Sequence, residues 1–393
     1  MTEKLFYQDS HLEEFTARVI SCEWEEKRGC YGIVLDRTCF FPEEGGQYAD
    51  SGIIQEVAIE DVQEKDGVIV HYGKSAIDTG TEVVGHIDFK ERLSKMQQHT
   101  GEHIVSGLVN RHFGYDNVGF HLGKELVTMD FNGSFTQEQL QMIEQEANEA
   151  VVRNLAVQTD YPSREELEKM DYRSKKELSG QVRIVTVPGY DVCACCAPHV
   201  KHTGEIGMIR LIDAARHKGG TRVTMVCGFR ALEDYRAKEN NILGISRLLS
   251  AKPYETAEAV RRLQREGQQW KDKLFRMQSR YLEQKLEELS ASGQTEGGSK
   301  ENILLFEEEL DKNAARRFVD VGMHRCSGIC GIFLGNDRQG YQYILGSQSV
   351  NLRDFLKKFH EEFSGKGGGK PEMVQGTISG MRSELERWML SLK

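Results

Sequence analysis

Short β-prone runs separated by Gly, Asp and Lys fill the chain up to about residue 90: VISCEWE, YGIVLD, DGVIVHYG and TEVVGHID. Each has the length and the β-branched or aromatic content of a strand, and strands this short and numerous predict a small barrel or sandwich. Among them lies DRTCFFPEEGGQYADSG (36–52), where proline and glycines rule out regular structure and predict a sharp, close-packed loop. From Glu91 the apolar period lengthens: Leu93, Met96, Ile104 and Leu108 keep to one helical face. After a loop at Tyr115, HLGKELVTMDF reads as a strand, and SFTQEQLQMIEQEANEAVVRNL as a helix capped by Thr136 with Glu138 in its first turn. QVRIVTV and MIRLIDAARHKGGTRVTMVCG are further strands, flanking a short turn. Helices on one face of an antiparallel sheet account for this order.

Residues 230 to about 290 are helical apart from a break at Pro253, with Leu263, Trp270, Leu274, Met277 and Tyr281 on a heptad-like seam. SASGQTEGGSK (290–300) has linker composition. Beyond it ILLFEEEL, GICGIFLG and YQYILGS read as strands, NLRDFLKKFHEEF as a helix, and GKGGGKPEMVQGTISG as a glycine-rich end. The fold expected is α+β in four parts: a small β-barrel (1–90), an α+β domain (91–232), a helical arm (233–292) and a C-terminal α/β domain (300–393).

Composition narrows the function classes. The 393 residues are 39% hydrophobic and 28% charged, with no apolar run near the ~20 residues that span a bilayer. The start, MTEKLFYQDSHLEEF, is too acidic and broken for a signal or transit peptide, and no membrane partner is expected. Nine cysteines, an odd number clustered about one place, fit reduced thiols in a cytoplasm. A net charge of −10 argues against a generic nucleic-acid coat but not against a specific RNA partner, because local patches decide recognition.

Two half-sites carry the chemistry. His99 and His103 in QQHTGEHIVSG are four apart, on one helical face, and Cys195 and His199 in CACCAPHV add a thiolate and an imidazole. A lone His-x-x-x-His usually just decorates a helix. A second half-site of matching ligand chemistry makes a metal the better reading, and zinc the metal that such ligands favour.

DRTCFFPEEGGQYADSG, HTGEH and CCAPH, in that order, resemble the editing region of alanyl-tRNA synthetases and the free-standing editing proteins called AlaX. GHIDFKERLSKMQQHTGEH is similar to that family's approach to its metal helix, and GKGGGKPEMVQGTISG resembles the domain that follows the editing region and also ends DHH phosphoesterases. No Asp-His-His motif is present, and the length leaves no room ahead for aminoacylation domains, so the expectation is the long form of AlaX: an editing enzyme without its synthetase. The family's second metal motif is usually Cys-Gly-Gly-Thr-His; here it is Cys195-Cys196-Ala197-Pro198-His199, with spare thiols at Cys193 and Cys196 as minority ligands.

The resemblance implies zinc-dependent hydrolysis of Ser-tRNA(Ala), with Gly-tRNA(Ala) a weaker substrate, and recognition of the tRNA(Ala) acceptor stem. It gives Thr38 and Gln47 the task of sensing the serine hydroxyl, while Gly45 and Gly46 permit close backbone approach. Lys218 and Arg222, in a short basic turn, are candidates for acceptor-end phosphates, with a solvated hairpin turn about equally plausible. His121 reads as a packing residue, and Cys326 and Cys330 as ordinary thiols. Lys366 and Lys370 flank a glycine run that suits phosphate or tRNA, and a homodimer through the arm or the C-terminal domain is the expected assembly. The alternatives are a tRNA-binding protein with a structural zinc and a deacylase for another aminoacyl ester.

Overall fold

The computed structural model describes residues 1–174, 181–291 and 301–391; most of the linker expected at 290–300 lies outside the described residues. The chain divides into two compact units, Met1–Asn241 and Ile242–Lys393.

The first unit opens with β1 (Glu3–Lys4), β2 (Glu14–Glu25), β3 (Cys30–Leu35), β4 (Arg37–Thr38), β5 (Gly52–Ile54), β6 (Val57–Lys65), β7 (Val68–Gly73) and β8 (Glu82–Ile87). Six of these strands close on themselves in the order β2-β3-β7-β6-β5-β8, every neighbouring pair antiparallel. Phe15, Ala17 and Val19 alternate inward along β2 and meet Ile33, Leu35, Ile54, Ile69 and Val83 in one apolar core. β5 and β6 escape the sequence pattern. β6 slips register between Ile59 and Asp61, so its inward residues run Val57, Ile59, Val62 and break the period of two.

α1 (Phe89–Phe113) begins two residues before the periodicity suggests because Asp88 caps it, accepting from Glu91 N at 3.1 Å. The segment expected as one strand is a hairpin, β9 (Asn117–Leu122) and β10 (Val127–Phe131), turning through Gly123–Leu126. α2 (Gln137–Arg153) carries the anticipated Thr136 cap, completed by Gln139 into a capping box. Next come β11 (Gln158–Asp160), α3 (Arg164–Leu167), β12 (Ile184–Val187), β13 (Asp191–Ala194), β14 (Ile209–His217) and β15 (Gly220–Cys227). β11, β12 and β13 form a small antiparallel sheet, and β14-β15-β10-β9 a larger one. Val127, Met129 and Phe131 with Val223, Met225 and Cys227 turn one face of the larger sheet toward α1 and α2.

α1 is also tied to the loop over residues 36–52. Asp50, at the loop's end, is 1% exposed and ion-paired with the fully buried Arg92. Its Oδ2 accepts from Phe41 N at 2.7 Å, its Oδ1 lies 3.3 Å from Lys95 Nζ, and Arg92 Nη2 donates to Cys39 O at 2.6 Å. Lys95 also donates to Ala49 O at 2.6 Å and lies 4.2 Å from the Tyr48 ring centroid. Two cations on one helix thus gather both ends of the loop.

α4 (Gly228–Leu249) leaves the first unit. In the second, α5 (Thr256–Ala291) follows the Pro253 break; then come β16 (Ile303–Glu307), α6 (Lys312–Gly322), β17 (Ile329–Asn336), β18 (Gly340–Ser347), α7 (Leu352–Phe363), β19 (Lys366–Lys370), β20 (Met373–Ile378) and α8 (Arg382–Ser391). The sheet order is β16-β17-β18-β20-β19, with only β16 and β17 parallel. The end of α5 and α6 cover one face, α7 and α8 the other. The glycine run is the edge strand β19, paired residue for residue with β20 and exposed along its length. The heptad-like seam is exposed, from 38% at Tyr281 to 66% at Trp270, while Leu282 and Leu286 face the core.

Asp50→Ala leaves Arg92 and Lys95 buried without their counter-charge. A stability loss of about 3–5 kcal/mol is expected from urea unfolding, and a loss under ~1 kcal/mol would remove this cluster from the fold's essential contacts.

Candidate metal centre and its cavity

α1 presents His99 and His103 one turn apart, and the turn leaving β13 presents Cys195 and His199 opposite them. Their four ligand atoms lie within 4.8 Å of one another. Cys195 Sγ is 3.5 Å from His99 Nε2 and 3.4 Å from His199 Nε2. A tetrahedral ion with bonds of about 2.0–2.1 Å to nitrogen and about 2.3 Å to sulfur places those atoms about 3.5 Å apart. Donor set and spacing therefore fit.

The rings are oriented from behind. His99 Nδ1 is 3.0 Å from Gln47 Oε1, His199 Nδ1 is 3.0 Å from Thr100 Oγ1, and His103 Nδ1 is 3.0 Å from Asp191 Oδ2. For His99 and His199 the Nδ1–H then donates outward and leaves Nε2 for a metal, and His103 Nδ1 faces the Asp191 carboxylate. Asp191 is itself held by Arg173, which donates from Nε at 2.7 Å and from Nη2 at 2.9 Å.

Electrostatics separate the three thiols of CACC. Burial opposes ionisation of Cys195, yet the His99 and His199 imidazoles and a hydrogen bond with His103 hold its thiol well below the ordinary range. Burial pushes the Cys193 thiol up, and burial with the charges of Cys195 and Glu44 does the same to Cys196. Burial drives His199 down to about 3 against the pull of Cys195. For His103 burial acts downward too, but Asp191 and Cys195 outweigh it and lift the ring to about 9. Of the three, Cys195 alone is shifted toward the ionised form. His103, Asp191 and Cys193 form a second close trio, but Asp191 already serves Arg173 and His103.

A cavity of about 980 Å³ opens on the cluster, lined by His99, His103, Cys195, Cys196, Gly45, Gly46, Tyr7 and Arg183 among others. Gly45 and Gly46 have φ of +63° and +83°. A Cβ on Gly46 would sit 2.9 Å from Phe120 O, and one on Gly45 3.3 Å from Cys196 Sγ. These glycines let the loop lie against β9, where Leu122 N donates to Gly46 O at 3.0 Å. Gln47 is fully buried behind them, with Nε2 unpartnered among the described residues.

The remaining candidates lie apart from this group. Thr38 is fully buried under the loop and is not a lining residue of the cavity; its Oγ1 is 2.8 Å from His71 Nε2 and accepts from Phe40 N at 3.1 Å. His71 Nδ1 faces Ile33 O at 3.0 Å, and burial lowers its pKa to about 4, so the neutral ring accepts from Thr38. Arg222 makes a two-pronged ion pair with Asp130, at 2.6 and 2.7 Å, and Lys218 occupies the β14–β15 turn with φ +44°. Neither lines the cavity. His121 is exposed on β9 opposite Thr128. Cys326 and Cys330 belong to the second unit, where burial raises both thiols, and Lys366 and Lys370 are exposed on β19. Asp191, Arg173, Thr100 and Arg183 escaped the sequence reading. Their roles depend on pairings between distant segments, and only Thr100 and Asp191 stand near the ligand motifs.

Two family models match: tRNA synthetases class II (A) over residues 3–91, and the threonyl and alanyl tRNA synthetase second additional domain over residues 182–224. The first match spans the barrel and the second the Cys195–His199 half-site. More particularly, the chain is similar along nearly its whole length to Alanyl-tRNA editing protein AlaX-L of Pyrococcus horikoshii, 27% identical over 98% of this chain and 96% of the relative. Alanine–tRNA ligase of Halobacterium salinarum is 34% identical over 77% of this chain, and that of Pyrococcus abyssi 29% over 96%. The aligned parts are 33% and 42% of those ligases, so the chain spans less than half of either. The resemblance to long-form AlaX drawn from the motifs is shown.

Gly46→Ala meets both an unfavourable φ and the Phe120 carbonyl, whereas Gly29→Ala, at φ +63° with nothing within 4 Å, meets the φ cost alone. Urea unfolding is expected to show about 1–2 kcal/mol lost at Gly29 and a clearly larger loss at Gly46. Equal losses would show that the loop does not depend on its approach to β9.

Proposed function

We propose that this chain is a trans-editing hydrolase that deacylates mischarged Ser-tRNA(Ala), with Gly-tRNA(Ala) a weaker substrate, and that zinc is its metal. The observation that carries this reading is the convergence of three imidazole Nε2 atoms on one stabilised thiolate at the wall of a cavity of about 980 Å³. Similarity to AlaX-L over both chains' length supports the same substrate class. A pocket of this size suits an aminoacyl group on a terminal nucleoside. The same reading places the protein in the cytoplasm, where charged tRNA is found; no described helix is long and apolar enough to cross a membrane.

The reaction adds water across the ester, releasing the amino acid and restoring the ribose hydroxyl. His99, His103 and Cys195 would hold zinc, with His199 closing the shell or standing beside it; three protein ligands would leave the open position through which the ion supplies a Lewis acid when bound. Gln47 fixes the His99 ring through Oε1 and keeps Nε2 as a donor for the substrate's polar groups. Serine and alanine esters differ by one hydroxyl, and a buried group that pairs with it discriminates by up to about 10⁴–10⁵. We assign that pairing first to Gln47. Thr38 remains a second candidate, reaching a ligand only by exchanging its bond to His71. Gly45 and Gly46 support the reading as the bare backbone beside the acyl group. Arg222 is assigned no direct contact, because Asp130 occupies its guanidinium; Lys218 keeps a surface role toward acceptor-stem phosphate. The exposed Leu263, Trp270, Leu274, Met277 and Tyr281 support self-association through α5.

Deacylation of Ser-tRNA(Ala), Ala-tRNA(Ala) and Ser-tRNA(Ser) by wild type and Cys195→Ala tests the main reading. Rapid loss of the seryl ester from tRNA(Ala) alone, abolished in the variant, is expected; tRNA binding without hydrolysis by zinc-loaded protein would leave only an RNA-binding module. In the same assay Thr38→Val is expected to narrow the Ser-over-Ala ratio, and a lowered Tm with an unchanged ratio would limit Thr38 to packing. Sedimentation equilibrium is expected to show dimers that Leu274→Glu dissociates, and a monomeric wild type would remove the α5 assignment.

A further inference from the structure

The turn that carries Cys195 leaves the β13 ladder at Ala194 and reaches Pro198, which has no N–H, so its geometry needs support from outside the sheet. Arg183, just before β12, supplies it. One side-chain nitrogen, Nη1, donates to both Cys195 O and Ala197 O at 2.9 Å. The Arg183 carbonyl accepts from Cys195 N at 3.0 Å. Cys195 is therefore gripped on both sides of its Cα by one residue, and Ala197, fully buried against the barrel core, is held by the same nitrogen. The guanidinium is steadied in turn by Tyr7, whose ring centroid lies 5.0 Å away.

We infer that Arg183 is a positioning residue of the metal centre: it holds the Cys195 turn so that the sulfur stays where the three imidazoles converge, and thereby governs how firmly the site keeps its metal. Arginine suits the task, because a planar, permanently charged guanidinium offers several donors in fixed directions, whereas lysine offers a point charge on a loose stem. Arg183 and Arg173 divide the work. Arg173 acts on His103 through Asp191, and Arg183 acts on Cys195 through the backbone. One half-site is set by side-chain relay and the other by carbonyl capture.

This inference rests on the quartet being a zinc centre, so zinc stoichiometry of the wild type is read first. Zinc-loaded wild type, Arg183→Met and Arg183→Lys are then mixed with an excess of a chromogenic chelator and the release of zinc is timed. Cobalt-substituted forms give the thiolate–cobalt absorption, and circular dichroism reports folding. Arg183→Met is expected to release zinc about 10–100-fold faster with a weakened cobalt–thiolate band, and Arg183→Lys to fall between it and wild type. Should the Met variant not fold, faster release from the Lys variant carries the same conclusion. Wild-type release with an unchanged cobalt spectrum in a folded variant overturns the inference. So does a raised KM for Ser-tRNA(Ala) at unchanged release, which would make Arg183 a substrate contact. A wild type that binds no zinc overturns the metal centre itself, and the stoichiometry distinguishes that failure from the failure of Arg183.

Discussion

α1 is buried along most of its length although much of what it buries is polar: Arg92, Lys95, Gln97, Gln98, His99, Thr100, Glu102, His103 and Ser106 are all nearly inaccessible. Buried polar groups must find partners or the fold loses their hydration without return. Their partners lie on every neighbouring segment. Arg92 and Lys95 hold the 36–52 loop, His99 meets Gln47, and Gln98 bonds both N and O of Cys227 at 2.7 and 2.9 Å. Thr100 meets His199, Glu102 accepts from Asn117 at 2.7 Å, and His103 meets Asp191. The first unit is thus organised about a polar axis, and the His/Cys cluster is one stretch of it.

That arrangement explains why the His/Cys cluster and the cavity form together. The ion pair from Asp50 to Arg92 sets the register between loop and helix, three residues along the loop and seven along the helix from the contact of Gln47 with His99. Across the cavity, Asp191 and the Cys195 turn are fixed by Arg173 and Arg183. The two distant parts of the chain that carry these side chains converge because each is oriented by its own anchor.

The second unit follows a different logic. Its sheet is covered on both faces by apolar helical surface, Phe318 and Leu286 on one side and Phe359 and Leu385 on the other. Its glycine run extends because Gly367 and Gly376 pair directly on neighbouring strands, with the Tyr343 hydroxyl in the space that side chains would need.

By itself the sequence determined most of the elements and the ligand pairs. Alternation marked four of the barrel strands, Thr136 marked the start of α2, and the spacings of His99 with His103 and of Cys195 with His199 marked the half-sites, because those signals lie within a few residues. Tertiary structure alone decided the rest. It set the Cys195 thiol apart from Cys193 and Cys196 by the imidazoles beside it, took Thr38 into the barrel through His71, bound Arg222 to Asp130, and turned the α5 seam outward. The physical reason is separation. The bond from Gln47 to His99 joins residues 52 apart and that from Thr100 to His199 residues 99 apart, and contacts across such distances leave no period in the chain.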